Sequence, residues 1–285
     1  MVNGEWAPLK SILHVPLTMI SSFQNQKLKL VRALAGRPKE RREAGAFLAE
    51  GVRLIEDAFA ANWPIRFVLY SDELSERGRE LVKKLEDKKI EVEKVESGLL
   101  QSLSETETSQ GIIAVLNQVP LTIHPSPNFI LILDSIRDPG NLGTLLRSAD
   151  AAGVQAVLIP PETTDAFAPK VVRAGMGAHF RLPIHSMSWN EIRAQFSATH
   201  PRLNIYLADM DGQSCWETDF RTPLALIVGG EAEGASEQAR KLANAFVKIP
   251  MAGKTESLNA AVAGSVLMFE VMRQRNLNTK VTKEH

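Results

Sequence analysis

Five short runs in the second half of the chain, FILILD, VQAVLI, LNIYLA, PLALIV and AFVKI, are almost continuously apolar. A strand with water on one face alternates apolar and polar residues. Runs apolar at nearly every position need burial on both faces, the environment of a parallel sheet covered by helices on each side. Segments with helical apolar spacing lie between and after the runs, at residues 141–152, 189–199, 236–244 and 257–276. The region 129–277 therefore reads as an α/β domain with a parallel sheet.

Upstream, AFLAE, IRFVLYS, IEVEKV and GIIAVLN alternate with helix-like GVRLIEDAFAAN, ERGRELVKKLEDKK and SGLLQSL, and a basic amphipathic helix precedes them. A second, smaller α/β domain over 22–117 follows from this. Residues 118–128 contain three prolines and no helical period, so they read as a linker. Residues 1–21 show no clear period and read as a loosely attached extension, and 278–285 as a tail. A length of 285 residues agrees with two cores rather than one.

Composition excludes more than it selects. Lys plus Arg and Asp plus Glu both total 33, so global charge names no partner. One segment departs from this balance: between Lys27 and Arg42 stand seven basic residues, Lys27, Lys29, Arg32, Arg37, Lys39, Arg41 and Arg42, against the single acid Glu40. Taken alone it reads first as a solvated helix face. A single cysteine, Cys215, rules out an intrachain disulfide and fits a reducing compartment. The histidines show no ligand spacing, so no metal is expected. No apolar run approaches the ~20 residues needed to span a bilayer, and SILHVPLTMI lacks a signal cleavage pattern, so a cytoplasmic location is expected.

In an open parallel sheet, ligands sit beyond the carboxyl ends of the strands. Three segments hold that position: 134–147, 229–236 and 249–259. GGEAEGA and GMGAHF both fail the G-x-G-x-x-G fingerprint. GKT at 253–255 ends like a phosphate loop, but Lys248 stands where that loop needs its first glycine, and Pro250 removes an N–H. Gly229, Gly230 and Gly234 instead suit close approach of a ligand to the main chain. Asn141, Thr144 and Arg147 stand at i, i+3 and i+6 and share one side of a helix. A surface pairing of Arg147 with Asp150 would also account for it.

DPGNLGTLLRSADAAGV, LIVGGEAEGAS and KIPMAGKTESLNAAVA, in that order, resemble the three motifs of the SpoU/TrmH class of SPOUT RNA ribose 2′-O-methyltransferases. APKVVRAGMGAHFRLPI resembles the family's connecting segment, with Gly175 where relatives often carry serine. FLAEGVRLIEDA resembles its substrate-binding domain, whose fold is shared with small ribosomal RNA-binding proteins. The likeness spans nearly all of residues 22–275.

The resemblance implies a trefoil-knotted catalytic domain, a homodimer, and S-adenosyl-L-methionine held by main-chain groups. Gly229, Ile249 and Leu258 would line that pocket with Gly230 adjacent. It also implies Arg147 as the essential residue, Asn141 and Asn259 placing loops or ribose, Glu231 orienting Arg147, and Ser257 bonding nearby. Ser257 equally fits a plain N-cap of the last helix. On this reading Lys27, Lys29, Arg32, Arg37, Arg41 and Arg42 track RNA phosphates. The expected substrate is RNA, with large-subunit rRNA preferred; tRNA methylation, a catalytically silent RNA-binding relative and an NTP-binding enzyme are the alternatives.

Overall fold

The computed structural model describes residues 19–104, 109–199, 203–230, 234–255 and 257–281. The first half contains α1 (Gln26–Gly36), α2 (Pro38–Ala44), β1 (Ala46–Glu50), α3 (Val52–Ala60), β2 (Ile65–Tyr70), α4 (Glu76–Asp87), β3 (Val92–Lys94), α5 (Ser97–Gln101) and β4 (Ile112–Asn117). These strands form a sheet in the order β1-β4-β2-β3, antiparallel except for the β2–β3 pair. The alternation of the strands sorts side chains to two faces. Phe47, Val68 and Ala114 meet Ile55 and Leu81 of α3 and α4, while Leu48, Leu69 and Val115 meet Leu28 and Val31 of α1. Ile20, inside the segment expected to be a loose extension, is buried and bridges to Val95. Residues 1–18 lie outside the described ones.

The second half contains β5 (Phe129–Asp134), α6 (Pro139–Ala151), β6 (Ala156–Ile159), α7 (Pro169–Ala174), β7 (Ile184–Ser186), α8 (Trp189–Thr199), β8 (Asn204–Ser214), β9 (Leu224–Gly229), α9 (Glu237–Leu242), β10 (Ala245–Lys248) and α10 (Ala260–Val281). Six strands pair in parallel throughout, in the order β10-β8-β9-β5-β6-β7. The five apolar runs are five of these strands. Sequence reasoning missed β7, of whose three residues two are partly buried and the third, Ser186, is exposed. Both faces are covered: Leu131 and Leu133 of β5 pack with Leu145 of α6 and Leu267 of α10, while Ile130 and Ile132 pack with Ile192 of α8.

α10 begins at Ala260, three residues later than the sequence suggested, because Asn259 rather than Ser257 caps it. The Asn259 carboxamide oxygen accepts from Ala261 N at 2.9 Å and from Val262 N at 3.2 Å. Ser257 is exposed and outside the helix.

The two halves share one packed junction. Val172 and Phe180 of the second half belong to the core of the first, and Phe167 lies 5.1 Å, centroid to centroid, from Phe47. Beside these rings His179 is buried, and its Nε2 donates to Ala166 O at 2.7 Å. The carbonyl can only accept, so Nε2 carries the proton and the Nδ1 lone pair is left without a partner among the described residues. Burial holds His179 down to a pKa of about 4, against the hydrogen bond to Ala166 and the charge of Asp165, which both raise it. A histidine depressed in the folded state leaves the unfolded chain binding more protons between the two pKa values, so stability falls as pH drops from ~6.5 toward about 4. We expect His179→Gln to flatten the dependence of the unfolding midpoint on pH across that window. A variant as acid-sensitive as the parent would remove His179 from this role.

Candidate active site

Where β5 and β9 end, the chain reverses to opposite sides of the sheet, the position at which open α/β sheets bind ligands. Asp134 and Gly229 are paired in register there. Asp134 is 1% exposed, and its carboxylate accepts from Ser236 N at 2.6 Å, across 102 residues of sequence. Ser236 in turn caps α9 through its side chain. A Cβ on Gly230 would lie 2.3 Å from Ser135 O, and one on Gly229 2.7 Å from Ala235 N. Both neighbours are backbone and cannot yield as a side chain would, so these positions require glycine. The sequence reading passed over Asp134; its signal was an acid closing an otherwise apolar buried strand.

The β5–α6 loop is braced from behind. Thr163 Oγ1 donates to Leu133 O at 2.7 Å and accepts from Ile136 N at 3.3 Å, and Thr164 N donates to Ile136 O at 2.9 Å. The helix that follows starts at Pro139, two residues earlier than expected. Asp138 accepts from Asn141 N at 2.8 Å and Pro139 fills the first helical position, a cap-and-proline signal present in the sequence.

Leu142, Leu145, Leu146 and Ala149 bury one face of α6, leaving Asn141 half-buried and Thr144 and Arg147 exposed on the other. The alternative pairing of Arg147 with Asp150 is not made: Asp150 instead accepts two hydrogen bonds from Arg181, at 2.8 and 3.0 Å. Arg147 makes no hydrogen bond or ion pair among the described residues. Asn259 Nδ2 donates to Asn141 Oδ1 at 3.1 Å, joining the start of α6 to the start of α10. Ser265 adds a second tie: its hydroxyl donates to Ala261 O at 2.6 Å and accepts from Ser148 Oγ at 2.8 Å. Ile249 and Leu258 are half-buried, and Ile249 packs on the core that also holds Val228, Ala260 and Ala261. The three strand-end segments thus converge on one rim. Glu231, expected to orient Arg147, lies outside the described residues.

The basic segment is divided by the fold. Arg41 is 2% exposed: its Nε donates to Asp165 at 2.6 Å and its Nη1 to Leu34 O at 2.6 Å. This corrects the expectation that Arg41 tracks phosphates on the surface, since it clasps the two halves together. Lys27 is likewise engaged, with Glu91 at 2.5 Å and Glu93 at 2.7 Å. Burial works against its charge, but the hydrogen bonds of the two carboxylates outweigh that and raise its pKa. Lys29, Arg32, Arg37 and Arg42 remain exposed, Arg32 over the ring of the exposed Phe23. Among the described residues no helix is long and apolar enough to cross a membrane, and no cluster of three potential metal ligands occurs.

The chain thus joins a compact α/β module to a parallel-sheet domain whose strand-end loops are built of main chain and small side chains. The SpoU rRNA Methylase family matches residues 128–269, and the MRM3-like substrate binding domain matches residues 25–114. The 23S rRNA (uridine(2479)-2′-O)-methyltransferase of Streptomyces viridochromogenes is 33% identical over 266 residues, 88% of this chain and 91% of its own length. The 23S rRNA (guanosine(2553)-2′-O)-methyltransferase of Bacillus subtilis is 32% identical, covering 90% of this chain and 99% of its own. The crystal structure of the SpoU methyltransferase AviRb from Streptomyces viridochromogenes with the cofactor AdoMet superposes with a TM-score of 0.80 at 32% identity, covering 88% of this chain and 98% of that one. The chain belongs to the SpoU rRNA methylase family.

Asn259 has two separable functions, accepting as a helix cap and donating to Asn141. We expect Asn259→Ala to destabilise the fold by about 1 kcal/mol through loss of the cap. Asn259→Asp keeps the acceptor but lacks the donor, so it should retain most of that stability while lowering turnover. Equal melting temperatures for the two variants would show that the cap contributes nothing.

Proposed function

We propose that the protein transfers a methyl group from S-adenosyl-L-methionine to a ribose 2′-hydroxyl of RNA, with large-subunit ribosomal RNA as substrate, in the cytoplasm. The observation that carries this reading is the rim where Asp134, Gly229 and Gly230 meet the Asn141–Asn259 bond beside an exposed Arg147 that makes no hydrogen bond or ion pair among the described residues. The residues fit the donor. Gly229 and Gly230 present main-chain groups, and half-buried Ile249 and Leu258 supply apolar surface for an adenine ring. When bound, S-adenosylmethionine supplies a methyl group on a sulfonium.

The chain's own residues then have to place the hydroxyl in line and help its proton leave. A guanidinium offers donors and no acceptor, so Arg147 is assigned a clamping role and not that of a base. It holds the neighbouring phosphate and polarises the 2′-hydroxyl, whose proton passes to a phosphate oxygen or water. Asn141 and Asn259 fix the ribose and the loops, Glu231 orients Arg147, and Ser257, exposed at the rim, bonds the RNA. Lys29, Arg32, Arg37 and Arg42 carry the phosphate contacts of the first domain.

Two further features belong to the same proposal. The catalytic domain is threaded as a trefoil knot, which the crowded backbones at Gly229, Gly230 and Ala235 support. The protein is a homodimer through α10, where Val262 and Phe269 are 48% and 41% exposed.

Tritium transfer from labelled S-adenosylmethionine to ribosomal RNA from a deletion strain tests the reaction. Arg147→Ala should lower transfer at least a hundredfold with donor affinity, read by calorimetry, within about twofold of the parent. Gly230→Ala should do the reverse first, weakening donor binding tenfold or more. Donor binding lost in the arginine variant and kept in the glycine variant would overturn the assignment. In a separate test, charge reversal at Lys29, Arg32, Arg37 and Arg42 should reduce RNA affinity and flatten its dependence on salt by up to ~4 in log–log slope; an unchanged slope removes this surface from the RNA contact.

A further inference from the structure

Between the two domains, α2, the linker and the carboxyl ends of β6 and β7 line an open cleft of about 590 Å³. The reaction as described above makes no use of it. Three observations say what it takes.

Its position is the first. The cleft opens at the same edge of the parallel sheet as the methyl-transfer rim. Thr163 and Thr164 line it and also hold Ile136, so one side of the β5–α6 loop faces the transfer rim while the other is braced by the cleft wall.

The second is Arg41. This side chain lines the cleft although the residue is only 2% exposed. Nε and Nη1 are satisfied by Asp165, Leu34 O and Gly36 O, but Nη2 makes no hydrogen bond among the described residues. Nη2 is not among the fully buried, unpartnered side-chain atoms of the described residues, so it faces the open space of the cleft as a donor that a ligand's acceptor can take up.

The lining is the third. Pro160, Phe167 and Met187 give apolar surface, Gln118, Ser186 and Ser188 are neutral polar groups, the one carboxylate, Asp165, is already paired with Arg41, and the exposed Arg42 also lines the cleft. A lining that mixes apolar faces, neutral polar groups and an exposed cation suits a flat heterocycle carrying carbonyl or ring-nitrogen acceptors and joined to a phosphate. RNA is read by sequence mainly through unstacked bases of single-stranded loops, which present such edges.

We propose that this cleft takes an unstacked nucleobase of the substrate RNA close in sequence to the methylated nucleotide. The base accepts a hydrogen bond from Arg41 Nη2, and Arg42 meets the adjoining phosphate. The site is a specificity pocket separate from the methyl-transfer rim, and it rests on the RNA methyltransferase reading given above.

The test uses the full chain, a synthetic RNA spanning the mapped target, and a series of that RNA with one abasic nucleotide at each flanking position. Ser186 is exposed at the end of β7, so Ser186→Trp narrows the cleft without touching the transfer rim. The expected result is an RNA KM raised about tenfold or more, with S-adenosylmethionine affinity and melting temperature unchanged. Ser186→Ala and the remote Lys83→Trp should behave as the parent. One abasic position should raise KM for the parent enzyme yet have no added effect in Ser186→Trp, since both remove the same contact. A parent-like KM in Ser186→Trp, or additive effects at every abasic position, overturns the pocket while leaving the methyltransferase reading intact. A parent enzyme that methylates no RNA sinks that reading itself.

Discussion

The catalytic half depends on how closely two stretches of main chain approach at the ends of β5 and β9. A Cβ at Gly230 would sit 2.3 Å from Ser135 O, and the Asp134 carboxylate reaches Ser236 N at 2.6 Å from a position 1% exposed. A carboxylate out of water needs strong hydrogen bonds, and one to a backbone N–H at a helix start provides it. The consequence is geometric. Two loops that are 102 residues apart are fixed against each other by backbone, with no long side chain between them to relax. A pocket built of main-chain groups is only as well formed as this approach, so the glycines and the buried acid come before any residue that meets a substrate.

The legible part of the sequence is the part that hydrophobic burial dictates. Five continuous apolar runs became five parallel strands because nothing but two-sided burial suits them. β7 escaped notice because three residues, two half-buried and one exposed, carry no periodic signal. The ends of helices were less legible, since Ser257 and Asn259 are both good caps and only the packing of Ala260 and Ala261 into the core decides where α10 begins. At Asp138–Pro139 the signal was present and local. The pairing of Asn141 with Asn259 spans 118 residues, which no local pattern encodes.

Charge was the least legible property. Seven basic residues between Lys27 and Arg42 look alike in sequence, yet the fold gives them different work. Lys27 is tied to two glutamates on the β3 side, and Arg41 is buried against Asp165 of the other domain. Periodicity could have placed Arg41 on an inner face only if the partner carboxylate, 124 residues away, had been known. The remaining exposed cations still form a basic surface, but one thinner than composition suggested.

The junction between the domains changes how that surface can act. Val172 and Phe180 sit in the core of the first domain, Phe167 packs on Phe47, and Arg173 reaches Glu50 at 3.5 Å. Separating the halves would expose these aromatic faces and strand the charge of Arg41, a cost of several kcal/mol at ~1.5–3 kcal/mol per large apolar side chain. These contacts tie the two domains together at one junction. On the proposed function, an RNA held on the first domain would be presented to the second at an offset set by this junction, and that offset would decide which ribose reaches Arg147. Asp165 links the two ends of this ruler: it holds Arg41, and its neighbours Thr163 and Thr164 brace the loop that leads into α6.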